Sequence, residues 1–173
     1  MLKKQLAFSS QNNPQPYAIS LNGIDALRKR EGVRTHAYRD SAGKLTIGVG
    51  HLLTPWERLT GTIKINGYTV KWRKGIDHYD VTMLMRQDLT RFENAVNQLV
   101  TVPLNQNQYD ALVSFCFNIG IRRFKRSTLL RKLNHGLYND VPHEMRRWRK
   151  ARGHVIQGLV NRRESEVKQW EKK

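Results

Sequence analysis

Along the 173 residues the spacing of apolar positions changes period several times, and each change marks an element. From Ser20 the run SLNGIDALRKREG places Ile24, Leu27 and Arg28 at helical intervals, and Gly32, just after Glu31, supplies a stop. The period then shortens to two. Leu45, Ile47 and Val49 share one face of a strand, while Thr46, Gly48 and Gly50 leave the other face almost bare, so that something bulky can approach the backbone. TIKINGYTVKW predicts a second hairpin, with Asn66 and Gly67 suited to a two-residue primed turn. Helical spacing returns in DVTMLMRQDLTRFENAVNQLV, through Val81, Met85, Phe92, Val96 and Leu99, over a length that suits a central strut. NQNQYDALVSFCFNIG opens with Asn105 and Gln108 as a capping box, is apolar nearly all round and ends at Gly120, which predicts the buried core helix. Shorter helices are expected at about Ser127 to Asn134, Val141 to Arg152 and Val160 to Trp170, and residues 1 to 19, polar with Pro14 and Pro16, read as a loose arm. The pattern is that of an α+β chain, mostly helical with one β-rich patch.

Composition narrows this picture. The length suits one domain with a substantial core. The single cysteine, Cys116, excludes an intrachain disulfide and reads as a buried small hydrophobe between Phe115 and Phe117. At the N-terminus only Leu6 to Phe8 are apolar, too few for a signal-peptide core or a membrane span, so no targeting segment is expected. The formal charge is +17, and residues 121 to 173 hold 16 of the 31 basic residues against 5 of the 14 acids. Such a field draws polyanions in general, whether nucleic acid, anionic lipid, lipopolysaccharide or acidic wall polymers.

In a chain this basic, the stretch EGVRTHAYRDSAGKLTIGVGH keeps two acids, Glu31 and Asp40, with Thr46 six residues beyond the second. Cleaving a glycosidic bond needs an acid to protonate the leaving oxygen and a second carboxylate to activate water or attack the sugar. Glu31 and Asp40 qualify by type, and Thr46 lies across from Asp40 on the bare face, where its hydroxyl can hold a water. Asp88, between Met85 and Phe92 on the apolar side of the long helix, needs a partner. No metal site is expected: PHEMR has His143 and Glu144 without the second His of a zincin helix, and the six His are scattered. No cofactor is expected either.

EGxRxxAYRDxxGxLTIGxGHLLT resembles the phage-type lysozymes, the endolysin family of the bacteriophage T4 lysozyme type, and LNQNQYDALVSFCFNIG, FKRSTLLRKLN and GLVNRRESE continue the likeness over roughly residues 21 to 170. The KINGYTVKWRKG hairpin looks closer to lysozymes of other tailed phages and prophages. The resemblance implies a small lobe with β-hairpins at about 20–80, a linking helix at about 78–100 and a helical lobe at about 101–173, together forming one catalytic domain, 20–173, with a cleft between the lobes. It implies hydrolysis of the β-1,4 bond between N-acetylmuramic acid and N-acetylglucosamine in peptidoglycan. Glu31 would be the general acid, Asp40 the carboxylate activating water in an inverting reaction, and Thr46 the residue positioning that water. Leu52, Phe117 and Ser127 would line the sugar cleft, Arg162 would approach Glu31, and His51 would pair with Asp88. The same resemblance implies a monomer acting on peptidoglycan glycan strands, with no specific nucleic-acid partner. The enzyme would be made in the host cytoplasm and reach the periplasmic face of the wall through a separate pore-forming protein.

Two other classes remain open: a lytic transglycosylase, which needs an acid but no water-activating base, and a cationic envelope or nucleic-acid binding module. VPHEMRRWRKARGH has Val141, Met145 and Trp148 at helical spacing among basic residues, the composition of an amphipathic helix for an anionic surface. On this reading Arg146, Arg147, Arg149 and Lys150 would bind lipopolysaccharide or an anionic membrane; where the same apolar residues pack into the large lobe, the basic surface field remains and still draws the protein to such surfaces.

Overall fold

The computed structural model describes residues 18–40 and 43–173. Residues 1–17 of the expected arm lie outside the described residues. Its last two positions are tied down: Ile19 is buried, its N–H donates to Glu93 Oε1 at 2.7 Å, and Gln106 Nε2 donates to the Ala18 carbonyl at 3.0 Å.

The core is organised around helix α4 (Gln106–Ile119), entered through a capping box in which Asn105 Oδ1 accepts from Gln108 N at 2.8 Å and Gln108 Oε1 accepts from Asn105 N at 2.9 Å. Its sequence leaves little polar surface, so it is surrounded: α1 (Leu21–Glu31), the 22-residue α3 (His78–Leu99) and α8 (Gln157–Trp170) all pack on it. Helix α1 turns Gly23, Ile24 and Leu27 inward. It comes so close that a Cβ at Gly23 would stand 2.6 Å from Asp110 and 2.7 Å from Ile19. Asp110 locks the approach by accepting from Ser20 N at 3.0 Å and from the Ser20 hydroxyl, which itself caps α1 by accepting from Gly23 N.

The small lobe is built of β1 (Arg34–Arg39), β2 (Leu45–Gly48) and β3 (His51–Leu52) in one antiparallel sheet, then α2 (Pro55–Thr60) and the hairpin of β4 (Thr62–Ile65) and β5 (Tyr68–Lys71). Asn66 and Gly67 take φ of 46° and 91°, the primed turn their identities favour. At about 1.5 Å per residue, α3 runs roughly 33 Å. One part of it packs on the sheet and on β4, another on α4 and α5 (Ile121–Lys125), so one strut serves both lobes. The bare strand face meets this strut: Gly48, at φ 66°, lies where a Cβ would be 3.7 Å from Leu84 and 3.8 Å from Val81.

Three sequence expectations change. Helix α1 packs on α4, so the small lobe begins with β1 rather than near residue 20. The helix expected over Val141 to Arg152 is α7 (Val141–Arg146) alone. Arg152 and Gly153 adopt φ of 49° and 83° and reverse the chain into a short hairpin of β6 (Lys150–Ala151) and β7 (His154–Val155). The final helix therefore starts at Gln157, not Val160. Trp148 keeps its helical spacing through one further turn, its N–H donating to the Met145 carbonyl at 3.0 Å, and its ring meets Phe115 edge-on at 5.8 Å. Val141 and Met145 are fully buried, Arg146 forks onto Glu164 at 2.9 and 3.0 Å, and Arg147 pairs with Glu144 at 2.9 Å. No free amphipathic helix remains there, because the residues that would face a membrane fill the large lobe. Between α5 and α7 lie α6 (Thr128–Asn134) and a single 3₁₀ turn. Among the described residues no helix is long and apolar enough to cross a membrane.

Candidate active site

Glu31 is the last residue of α1, which stops because Gly32, at φ 76°, sends its N–H back to the Arg28 carbonyl. Its carboxylate accepts from Arg162 Nη1. Arg162 is itself anchored: Nε donates to Glu166 Oε1 at 3.1 Å and Nη2 reaches the Ser114 carbonyl at 3.4 Å. Glu166, without exposed surface, also accepts from the Ser114 hydroxyl at 2.7 Å and from Arg163 Nη2 at 3.2 Å. Arg163 Nε stands 2.8 Å from Glu166 Oε2, an ion-pair contact without hydrogen-bond alignment, while its Cζ lies 5.0 Å from the centre of the Phe115 ring. Burial pulls the Arg163 guanidinium down to about 10, which leaves it charged at neutral pH. Arg30 closes the cluster, bonding Ser114, Ser165 and Gln169. Glu31 is thus held on a buried charge network of the large lobe.

Asp40 sits at the β1–β2 turn. Its Oδ1 accepts from Lys44 N at 2.8 Å, its N–H donates to the Lys44 carbonyl, and its carbonyl accepts from Gly43 N. Thr46, buried on the middle strand opposite Tyr38, donates its hydroxyl to the Lys44 carbonyl at 3.1 Å. Tyr38 reports on both acids: its phenol is raised first by burial, then by the negative fields of Glu31 and Asp40, against the opposing field of Arg34.

Between the lobes lies a cleft of about 610 Å³ whose wall includes Glu31, Gly50, His51, Leu52 and Phe117. Asp40 and Thr46 are not part of that wall. Phe117 is held edge-on by Phe92 at 5.1 Å. His51 Nδ1 is 2.8 Å from Asp88 Oδ2, and Nε2 is 3.4 Å from Glu57 Oε2. Burial lowers the His51 pKa, but the hydrogen bond and charge of Asp88, with those of Glu57, outweigh it and leave the imidazole above its ordinary value. Ser127 is elsewhere: it caps α6 by accepting from Leu130 N at 3.1 Å and lines a separate recess of about 320 Å³ with Arg147 and Trp148.

Three wall residues were not anticipated: Thr54, Arg91 and Asn118. Arg91 was within reach of sequence reasoning, since it follows Asp88 by three residues on the same helical face. So was Glu57, because Thr54 and Glu57 in TPWE form a capping box with Pro55 at the first helical position. Asn118, whose Oδ1 accepts from Arg163 at 2.9 Å, gave no local signal. Among the described residues no group of three metal-ligating side chains occurs.

Residues 28–166 match the model of the phage lysozyme family. The chain belongs to that family. It is 44 % identical over 133 residues to the endolysin of Salmonella phage P22, a match covering 77 % of this chain and 84 % of the relative. A crystal structure of a P22 lysozyme mutant is 41 % identical with a TM-score of 0.74, over 89 % of this chain and 98 % of that one. The muramidase domain of SpmX from Asticaccaulis excentricus is 34 % identical with a TM-score of 0.75, over 90 % of this chain and 99 % of that domain. The fold is accordingly the lysozyme α+β fold, and membership places the chain among peptidoglycan-degrading glycosidases of phage lysis.

Proposed function

We propose that this lysozyme hydrolyses the β-1,4 bond between N-acetylmuramic acid and N-acetylglucosamine in peptidoglycan and thereby lyses the host cell. The observation that carries the reading is Glu31 standing in the wall of the interlobe cleft on a buried arginine, with Asp40 held at the β1–β2 turn of the other lobe. Glu31 protonates the leaving glycosidic oxygen. Asp40, whose Oδ1 accepts from Lys44 N, takes the proton of a water that attacks the anomeric carbon from the opposite face, which inverts the configuration there. Thr46, whose proton is committed to the Lys44 carbonyl, keeps its oxygen lone pairs for that water. Leu52 and Phe117 supply apolar walls for the sugar faces. The protein works as a monomer on glycan strands, is made in the host cytoplasm and passes to the wall through a separate pore-forming partner.

The test is the chemistry of the released fragments. Mass analysis of digested, purified peptidoglycan is expected to give reducing-end muramic acid, and NMR of fresh product the α-anomer. A 1,6-anhydro end would make the protein a transglycosylase, and no release a binding module. Glu31→Gln, nearly isosteric, is expected to fold normally and lose at least about a hundredfold in cleavage rate, because an amide cannot donate the required proton. A variant at half the wild-type rate would remove Glu31 from the reaction.

A further inference from the structure

The small lobe carries two large apolar side chains that neither its core nor the proposed chemistry uses. Helix α2 turns Trp56 and Leu59, three residues apart and so on one side, outward at 70 % and 73 % exposure. Pro55 and Arg58 of the same helix line a groove of about 420 Å³ with Leu45 and Leu53 in its walls and Arg39 and Lys44 around it, and among the described residues no acid lines it. Glu57, the acid of α2, points the other way, accepting from Thr54 N at 2.7 Å and meeting His51. A fourth cation is fixed beside Leu59: Arg73 Nη2 donates to the Arg58 carbonyl at 2.7 Å and to the Leu59 carbonyl at 3.3 Å.

The charge and the wall chemistry together select an occupant. A glycan asks for convergent donors and acceptors beside an aromatic face, whereas these walls are aliphatic. The interface of an anionic bilayer offers apolar depth for the indole and the leucine, and phosphates for the cations around them. We propose that this face of the small lobe docks on an anionic phospholipid bilayer, with Trp56 and Leu59 entering the interface and Arg39, Lys44, Arg58 and Arg73 meeting the headgroup phosphates. The combination of apolar and basic residues sought in the C-terminal third is present here, with Trp56 and Leu59 free of core packing. Because Leu52 and Thr54 line both groove and cleft, a docked bilayer lies at the cleft rim.

The test separates insertion from the general attraction of a +17 protein for anions. Co-sedimentation with vesicles of phosphatidylethanolamine and phosphatidylglycerol is compared with vesicles of phosphatidylcholine alone. Wild type is expected to bind the anionic vesicles, with tryptophan fluorescence quenched by brominated acyl chains. The double variant Trp56→Ser, Leu59→Ser is expected to lose at least about tenfold in partitioning and most of the quenching. Arg58→Gln is expected to lose about fivefold, the worth of one cation near an anionic surface. Both variants change exposed side chains, so thermal melting and cleavage of soluble glycan oligomers should match wild type. Undiminished vesicle binding by the double variant would show that net charge alone binds and would overturn the proposal. A fall in soluble-glycan cleavage with unchanged vesicle binding would overturn it in favour of a substrate subsite.

Discussion

Replacing Asp88 tests how far one charged contact fastens the sheet to the strut. His51 follows β2 at the cleft, and its Nδ1 lies 2.8 Å from Asp88 Oδ2 on α3, with side-chain exposures of 12 % and 20 %. An exposed ion pair contributes about 0–1 kcal/mol, and a hydrogen bond to a charged group about 1.5–3 kcal/mol. The low exposure puts this pair in the second range, so Asp88→Ala and His51→Ala are each expected to cost about 2 kcal/mol. The double variant should cost well under the sum, with about 1–2 kcal/mol of coupling. In a chain of this size 2 kcal/mol lowers Tm by roughly 4–8 °C. The imidazole is raised above its unfolded value of about 6.5, so the charge contribution is complete below that pH and is lost as pH rises through the folded value. Urea unfolding of wild type, Asp88→Asn and the double-mutant cycle at about pH 5.5 and pH 9 reads both effects, and the cost of Asp88→Asn should shrink at the higher pH. Strict additivity, or a cost for Asp88→Asn that is the same at both pH values, would refute the clamp.

Glu166→Gln leaves Arg162 and Arg163 buried with one carboxylate fewer and is expected to cost about 3–5 kcal/mol in chemical unfolding. Because Arg162 also holds Glu31, glycan cleavage well below Tm should fall as well, and a stable variant with full activity would detach the network from the site. Gly23→Ala forces a Cβ to within 2.6 Å of Asp110 and should cost about 1–3 kcal/mol, read as a lower urea midpoint at unchanged slope. Met145→Lys distinguishes core from membrane face: it should cost more than about 3 kcal/mol and give no gain in envelope binding, because Met145 has no exposed surface.

Local pattern sufficed where one element carries its own signal. The long helix, the largely apolar α4 with its capping box and the Asn66–Gly67 hairpin are each specified within a single stretch, and each has a physical reason confined to it. The capping box of α2 was equally local and was overlooked because six residues hold too little periodicity to draw attention. In the C-terminal third, apolar spacing from Val141 to Trp148 fits a longer helix, yet the chain turns back at Arg152 and Gly153, where a non-glycine residue at positive φ breaks the usual preference. Gly48 reads as room for something bulky, and Leu84 and Val81 are what comes close, since a bare face does not say which neighbour it will be. The contact of Glu31 with Arg162, 131 residues apart, has no local signature. Only the likeness to a family suggested it.

The placement of Glu31 also explains why a basic chain buries so much charge in one place. A buried ion pair contributes little net stability, since desolvation offsets most of its attraction, and well-packed apolar residues of the same volume often do better. What the cluster of Arg30, Arg162, Arg163 and Glu166 provides is position. Helix α1 comes before the sheet in sequence but packs on α4, and the cluster ties its last turn to α8 through Arg30 and Arg162. Glu31 is therefore fixed to the large lobe, while Asp40 and Thr46 belong to the sheet. The two lobes are joined by the short segment after Gly32 and by α3, and the pairing of His51 with Asp88 fixes the sheet to α3 beside the cleft. Each carboxylate is thus held by a separate network, Glu31 by the arginine cluster and Asp40 by the turn of the sheet. A change in either network should alter cleavage without touching a carboxylate, and combined changes in both should lower the rate by more than the product of the single effects if the lobes adjust to each other.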